Sequence, residues 1–321
     1  MNAPKRRIAF IVNPASGVNR SALDTIEAFI AANLDRIESS LHLTKASGDA
    51  ERFAREAVTS GYNLVAAYGG DGTMMEAASG VHNSEVPLLM LPGGTANVMA
   101  IDLGIPTELE TALALALQPE LSIRPVDMGS VDNNLFLLRV GIGYEAEMSA
   151  HAARGEKSKL GRLAYIENAI HKLRGLRATQ YIMTIDDETY VRTGITCMIC
   201  NSSSIGIPNL RLAYNSDVSD GLLDIIVIRN AQPGTILKTL FNVVRSLFRG
   251  TESGSVHIDH WQGKKVTVQT KYRQFVARDG EPLKKARQVS AFVIEHALQV
   301  VIVPPAASVA EGPGNELQNL D

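Results

Sequence analysis

Cysteine is almost missing from this 321-residue chain, which has only Cys197 and Cys200, in Gly194-Ile195-Thr196-Cys197-Met198-Ile199-Cys200. The segment reads as a strand, where positions three apart face opposite sides, so the CxxC spacing cannot place both thiols on one metal. Two reduced core thiols are expected. Long apolar runs are missing too: nothing approaches the roughly 18 residues of a membrane-spanning helix, and Met1 to Ile8 passes into a strand pattern without an apolar leader. The expectation is a cytoplasmic protein. Nor is there an excess of basic charge; a net charge of -3 and a pI near 6.2 argue against a nucleic-acid binder. The seven histidines show no metal or triad spacing, and His257 and His260 lie three apart in an expected strand, facing opposite ways. With 45% apolar and 20% charged residues the chain is ordinary for a globular protein, and its length suggests two domains.

What is present centres on Tyr68-Gly69-Gly70-Asp71-Gly72-Thr73. The apolar run Asn63-Leu64-Val65-Ala66-Ala67 precedes it as a buried parallel strand would, and Met74-Met75-Glu76-Ala77-Ala78 continues it as a helix. Three glycines in four positions let a ligand approach the backbone, and N–H groups opening the helix favour phosphate. Asp71 among phosphates would repel them unless a divalent cation lay between, which suggests a magnesium-linked role. A plain glycine turn with Asp71 capping the helix is the competing explanation.

Two further strand-to-loop junctions share this style. Ile8 to Val12 runs into Asn13-Pro14-Ala15-Ser16-Gly17, and Pro87 to Met90 into Leu91-Pro92-Gly93-Gly94-Thr95-Ala96-Asn97. Helices are expected at 21–34, 48–59 and 109–117, with a short strand at 41–44. This alternation predicts an α/β domain, a parallel sheet with helices on both faces, whose loops meet at the carboxyl ends of the strands. From about residue 125 the texture changes to alternating strands, at 121–145, 179–200, 222–229, 255–260, 264–270, 273–278 and 289–302, broken by helices at 160–176 and 234–249. The division expected is 1–127, a β-rich 128–303, and a disordered tail at 304–321.

Four segments in this order, Asn13-Pro14-Ala15-Ser16-Gly17, Gly69-Gly70-Asp71-Gly72-Thr73, Gly94-Thr95-Ala96-Asn97 and Asp279-Gly280-Glu281, resemble the diacylglycerol kinase catalytic family in its soluble bacterial lipid kinase branch, which is similar to the sphingosine kinases. The resemblance spans about residues 7–303 and implies a nucleotide-binding domain followed by a β-sandwich-like domain, with ATP between them. It implies nucleotide contacts at Asn13, Pro14, Ala15, Ser16, Gly17, Thr44, Gly69, Gly70, Asp71, Gly72, Thr73, Met74, Met75 and Thr95. It implies Glu281 as the base that takes the proton of a lipid hydroxyl, beside Asp71 as the other catalytic residue, although a tight hairpin turn explains Asp279-Gly280 without chemistry. The loop Asn215 to Asp224 is similar to one that holds Mg²⁺ in the family, with the Asp220 side chain and carbonyls of Asp217 and Leu222 as ligands; a solvated Asp-Gly turn is the plainer alternative. One departure stands out: many relatives have an acid after the Asn of the third motif, where this chain has Val98.

The resulting expectation is an ATP- and Mg²⁺-dependent kinase of a lipid hydroxyl, of diacylglycerol, phosphatidylglycerol or sphingoid type, working at the inner face of the membrane. A homodimer is allowed by the chain, and nucleic acid is not an expected partner. The helix at 234–249 and the basic segment 157–177 are candidates for lipid contact, though packing on its own domain is the commoner explanation of the first and a solvated charged face of the second. The rival readings are a kinase of a soluble alcohol such as NAD and an ATP-binding regulatory protein with little transferase activity.

Overall fold

The computed structural model describes residues 5–16, 21–144, 146–147, 178–207, 210–213, 215–229 and 258–304. The expected helices at 160–176 and 234–249, the tail from 305, Gly17 and His257 lie outside the described residues.

Strands β1 (Arg6–Val12), β2 (Ile37–Leu43), β3 (Leu64–Gly69) and β4 (Leu88–Pro92) run parallel in the order β2-β1-β3-β4. Every residue of β3 and β4 is buried, which is why they read as continuous apolar runs. The helices are α1 (Ser21–Ala32), α2 (Asp49–Thr59), α3 (Asp71–Val81), α4 (Val98–Asp102) and α5 (Leu109–Ala114). Right-handed crossovers put α1 on one face of the sheet and α2 and α3 on the other, and packing agrees, α2 against α3 and α1 against α5. This is the expected α/β arrangement.

The rest is antiparallel. It comprises β5 (Ile123–Val131), β6 (Asn134–Phe136), β7 (Arg139–Gly143), β8 (Thr179–Ile185), β9 (Glu188–Gly194), β10 (Thr196–Cys200), β11 (Ser204–Ile207), β12 (Leu210–Arg211), β13 (Leu223–Ile228), β14 (Ile258–Gly263), β15 (Lys265–Arg278) and β16 (Glu281–Val301). Most of these strands join in the order β14-β13-β10-β7-β15-β16, with β8 branching from β15 and β5 from β16. Their inward residues, among them Phe136, Ile142, Tyr181, Met183, Ile199, Leu223 and Val268, make a second apolar core. Cys197 belongs to that core and Cys200 to a small cluster with Met198 and Ile226, so the two thiols do face opposite sides. Burial pushes the Cys197 thiol up to about 12, leaving it unreactive.

The two halves share one sheet. β16 begins as the antiparallel partner of β15, and one residue before its end Val300 pairs in parallel with Leu88 of β4. Leu298, Val300 and Val301 are buried in the core of the first half together with Val126 and Met128 of β5, so residue 127 lies within a strand that serves both halves. Strand β16 bends between Ile294 and Leu298, where the register shifts and His296 takes a φ of +50°. Fully buried Asp127 fastens this bulge: His296 N–H donates to Oδ1 and Gly221 N–H to Oδ2, both at 2.7 Å. The stretches expected as separate strands at 264–270 and 273–278 are one strand, β15, with a register shift between Gln269 and Gln274. Residues 281–288 are strand as well; Lys284, Lys285 and Arg287 are exposed there, so no apolar alternation announces it.

Candidate functional site

The glycine turn joins β3 to α3 as its sequence predicts. Gly93 N–H donates to Gly69 O at 2.8 Å, which ties the third-motif loop against it. Close packing accounts for most of the glycines here: a methyl on Gly69 would lie 2.4 Å from Thr73 Cβ, one on Gly93 2.5 Å from the Tyr68 ring, and one on Gly94 2.5 Å from Gly70 Cα. Gly72 is different. A methyl there would meet nothing within 4 Å, and the residue does not have a positive φ. Neither crowding nor backbone conformation demands glycine at 72, so the space beside it is free for a ligand. The first α-type bond at this end runs from Met74 N–H to Gly70 O at 3.0 Å, so the N–H groups of Gly72 and Thr73 come before the helical ladder.

Asn13 stitches the first loop to this turn. Its N–H donates to Tyr68 O at 2.9 Å, its amide to Thr73 Oγ1 at 3.0 Å, and its Oδ1 accepts from Ala15 N–H at 3.0 Å. Ser16 N–H returns to Asn13 O at 3.1 Å, while Pro14 and Ala15 are exposed. Thr44, buried at the end of β2, donates its N–H to Val12 O at 2.9 Å. Asn97, with φ +48°, holds its own loop by accepting from Gly94 N–H at 2.8 Å and donating to Gly94 O at 3.0 Å, and Thr95 is exposed between them. Asp71 Oδ1 accepts from Val98 N–H at 2.7 Å. Burial pushes the Asp71 carboxyl above its ordinary value, against the pull of the Val98 and Asn97 N–H groups and the charge of Arg139. Asn13, Pro14, Ala15, Ser16, Thr44, Gly69 to Thr73 and Thr95 therefore gather along one edge of the parallel sheet. Met74 and Met75 are buried in the core beneath it. The Val98 side chain is also buried, so position 98 offers Asp71 a backbone donor only.

Asp279-Gly280-Glu281 forms the tip of the β15–β16 hairpin. Arg278 pairs with Glu281, leaving a two-residue loop with φ +47° and +84°, the geometry of an Asp-Gly type I′ turn. The partly buried Asp279 carboxylate accepts from the N–H groups of Leu137 at 2.8 Å and of Leu138 and Arg139 at 2.9 Å each, while Asp279 N–H donates to Arg139 O at 2.9 Å. Burial raises the carboxyl, and those donors with Arg278 oppose the rise. Asp279 thus pins the hairpin tip onto the start of β7 and fixes where the exposed Glu281 emerges. The donors stand 140–142 residues away in the chain, beyond the reach of any local pattern.

In the acidic loop, Asp220 Oδ1 accepts from Leu222 N–H at 2.9 Å and its Oδ2 is only loosely held by Gln262 at 3.4 Å. Asp217 is engaged by Ser219 N–H at 2.9 Å and by Arg124. Burial, then the charges of Asp224, Asp217 and Asp127, push the Asp220 carboxyl up, a surplus of negative charge that suits a divalent cation. Among the described residues no three His, Cys, Asp or Glu side chains converge as a metal-holding group, so a cation here would draw on backbone oxygens, as the set of Asp220 with the carbonyls of Asp217 and Leu222 does. Nearby His260, unremarkable in the sequence, bonds the buried Asp224 at 2.6 Å.

Among the described residues no helix is long and apolar enough to cross a membrane. Residues 7–131 match the diacylglycerol kinase catalytic domain, and residues 139–302 match the YegS C-terminal NAD kinase beta sandwich-like domain. A Bacillus subtilis protein named diacylglycerol kinase is 28% identical, over 86% of this chain and 90% of that one. A Pseudomonas aeruginosa protein named probable lipid kinase YegS-like is 31% identical, over 90% of this chain and 93% of its own length. The crystal structure of a diacylglycerol kinase from Bacillus anthracis has the same fold, with a TM-score of 0.69 at 22% identity, covering 94% of this chain and 98% of that one. The open helix start at Gly72, the hairpin tip carrying Glu281 and both domain matches converge: the chain belongs to the diacylglycerol kinase catalytic-domain family of lipid kinases, in the group with a YegS-type C-terminal domain.

Proposed function

We propose that the protein transfers the γ-phosphate of ATP to a lipid hydroxyl in a Mg²⁺-dependent reaction at the inner membrane surface. The observation that carries this reading is the open space at Gly72, in the first turn of α3 next to Asp71, where the glycine has no crowding or backbone reason. The loops of Asn13 to Ser16 and Gly93 to Asn97 flank that space and complete a phosphate cradle. The lipid oxygen attacks the γ-phosphorus, the bond from phosphorus to the β–γ bridging oxygen breaks with its electron pair leaving on ADP, and the hydroxyl proton passes to the Glu281 carboxylate. Its exposed place at a rigid hairpin tip lets Glu281 meet a hydroxyl presented by a bilayer. Bound Mg²⁺ would neutralise phosphate charge near Asp71, and a second ion held by Asp220 with the Asp217 and Leu222 carbonyls would brace the acidic loop.

Diacylglycerol is the first acceptor to test, since the Bacillus subtilis relative is named for it. The assay is transfer of labelled γ-phosphate to diacylglycerol, phosphatidylglycerol and a sphingoid base in mixed micelles, with wild type beside Glu281→Gln. A labelled lipid from wild type, and at least a hundredfold less from Glu281→Gln with ATP binding retained, is the expected result. Equal turnover by the variant would remove Glu281 as the base. NAD belongs in the same panel, because the C-terminal match is to an NAD kinase-like fold; labelled NADP with no labelled lipid would replace the lipid reading by that of a soluble-alcohol kinase.

A further inference from the structure

The arm of the β15–β16 hairpin is basic in an acidic protein. Residues 269–288 hold six Lys and Arg side chains against two acids, Asp279 and Glu281, while the whole chain has a net charge of -3. Within this arm the ladder breaks. Gln269 pairs with Gln288 and Gln274 with Ala286, so residues 270–273 stand opposite Arg287 alone. The excess is extruded as Lys271-Tyr272-Arg273, all three exposed. Its shape is fixed at Tyr272 O, which accepts from Thr270 Oγ1 at 2.8 Å and from Gln274 Nε2 at 3.3 Å. Neighbouring strands stop short of it, since β8 pairs with β15 only up to Thr270 and β7 only from Val276. Among the described residues no carboxylate pairs with Lys271, Arg273 or Arg287, whereas Lys284 is matched by Asp132. Lys271 Nζ stands 5.4 Å from the Tyr272 ring centre, so cation and ring present one surface.

We propose that this bulge docks the protein on an anionic phospholipid bilayer, with Lys271, Arg273 and Arg287 toward the phosphates and Tyr272 among the headgroups. This rests on the kinase reading above, which requires a bilayer as the source of the acceptor. Each cation close to an anionic leaflet strengthens binding about fivefold. A tyrosine ring, apolar with a polar tip, favours the level of the headgroups. Cations alone would be explained as guards of a free strand edge against another chain's strand. Tyr272 is not explained that way: at 63% it is the most exposed large apolar side chain among the described residues, and at a free edge it would invite the association that cations prevent. Arg273 precedes Asp279 by six residues, which puts the bulge roughly 20 Å along the hairpin from its tip. Anchor and proposed base therefore share one hairpin, and docking at the bulge sets how Glu281 stands to the lipids.

The test is sedimentation of the full chain, without ATP or acceptor, with vesicles of phosphatidylcholine alone or mixed with phosphatidylglycerol. Wild type should bind the mixed vesicles about fiftyfold or more tightly than the neutral ones, and high salt should remove most of that preference. Lys271→Gln, Arg273→Gln and Arg287→Gln combined should weaken binding to mixed vesicles about a hundredfold, and Tyr272→Ser about fivefold with the salt dependence kept. Arg52→Gln with Arg55→Gln, which strips cations from the exposed face of α2, should change it less than about twofold. Wild-type affinity in the triple variant, an equal loss in the α2 variant, or no preference of wild type for mixed vesicles would overturn the assignment. Tighter binding to a duplex DNA than to mixed vesicles would also overturn it and give the surface to nucleic acid. Tyr272→Ser carries the comparison should the triple variant melt early. Lipid turnover in neutral detergent micelles separates the two readings: docking through the bulge without turnover of any lipid sinks the kinase reading alone, and turnover with vesicle binding indifferent to the bulge sinks the docking surface alone.

Discussion

Asp71 and Asp279 each precede a glycine, each collect backbone N–H donors from a distant segment, and each have a carboxyl that burial pushes upward. The glycines separate them. Gly280 sits at φ +84°, where any side chain is strained, so its identity is a demand of the turn. Gly72 carries no such demand, and the space beside it is open. The donors differ as well: Asp279 accepts from three consecutive N–H groups at the approach to β7, whereas Asp71 accepts from the N–H groups of Val98 and Asn97 at the start of α4. The same dipeptide is thus a rivet in one place and part of a working surface in the other. A motif match alone does not tell these apart; the space around the glycine does.

The sharpest way to break this contrast is Asp279→Ala. It strands three buried N–H donors and should lower stability by about 3–5 kcal/mol, read as a large drop in the urea midpoint, with activity lost only because the hairpin tip comes loose. Next comes Asp71→Asn, expected to lower kcat about a hundredfold or more without weakening the fold. The sign follows from the raised carboxyl: a folded-state pKa above the unfolded one contributes stability at acid pH and loses it as pH rises through the folded value. At pH 7–8 the asparagine variant should therefore melt at the wild-type temperature or above it; a clear fall in melting temperature would make Asp71 a rivet too. Gly72→Ala should raise KM for ATP about tenfold, because a methyl enters the space meant for phosphate, while helix propensity leaves stability unchanged or improved by up to about 1 kcal/mol. Gly280→Ala is the smallest effect, about 1–2 kcal/mol of stability from the left-handed φ, with KM for ATP unmoved. Interchanged outcomes for the two glycines would dissolve the comparison.

How much of this could be read beforehand depended on whether the cause was local. The strand, turn and helix around Gly69 to Thr73 were legible because burial on both faces leaves a continuous apolar run and the helix start has its own chemistry. The Asp-Gly hairpin at 279–280 was legible for the same reason. The arm at 281–288 was not, since its exposed lysines and arginine erase the period-two signal. Arg139 and Asp127 carry no local signature whatever. Their partners lie far away in the chain, Asp279 for the one, Gly221 and His296 for the other. Met74 and Met75, adjacent to the turn, turned out to face the core because a helix presents a new direction every residue.

The long final strand has a consequence for how the molecule is made. Leu298, Val300 and Val301 complete the apolar core of the first half, and they pair with β5, whose last residue is Val131. A ribosome working at roughly 5–20 residues per second needs on the order of ten to thirty seconds to synthesise the stretch between them. Throughout that interval β4 presents an unpaired edge and the nascent half waits with an unfilled side, so the domain translated first is the one finished last.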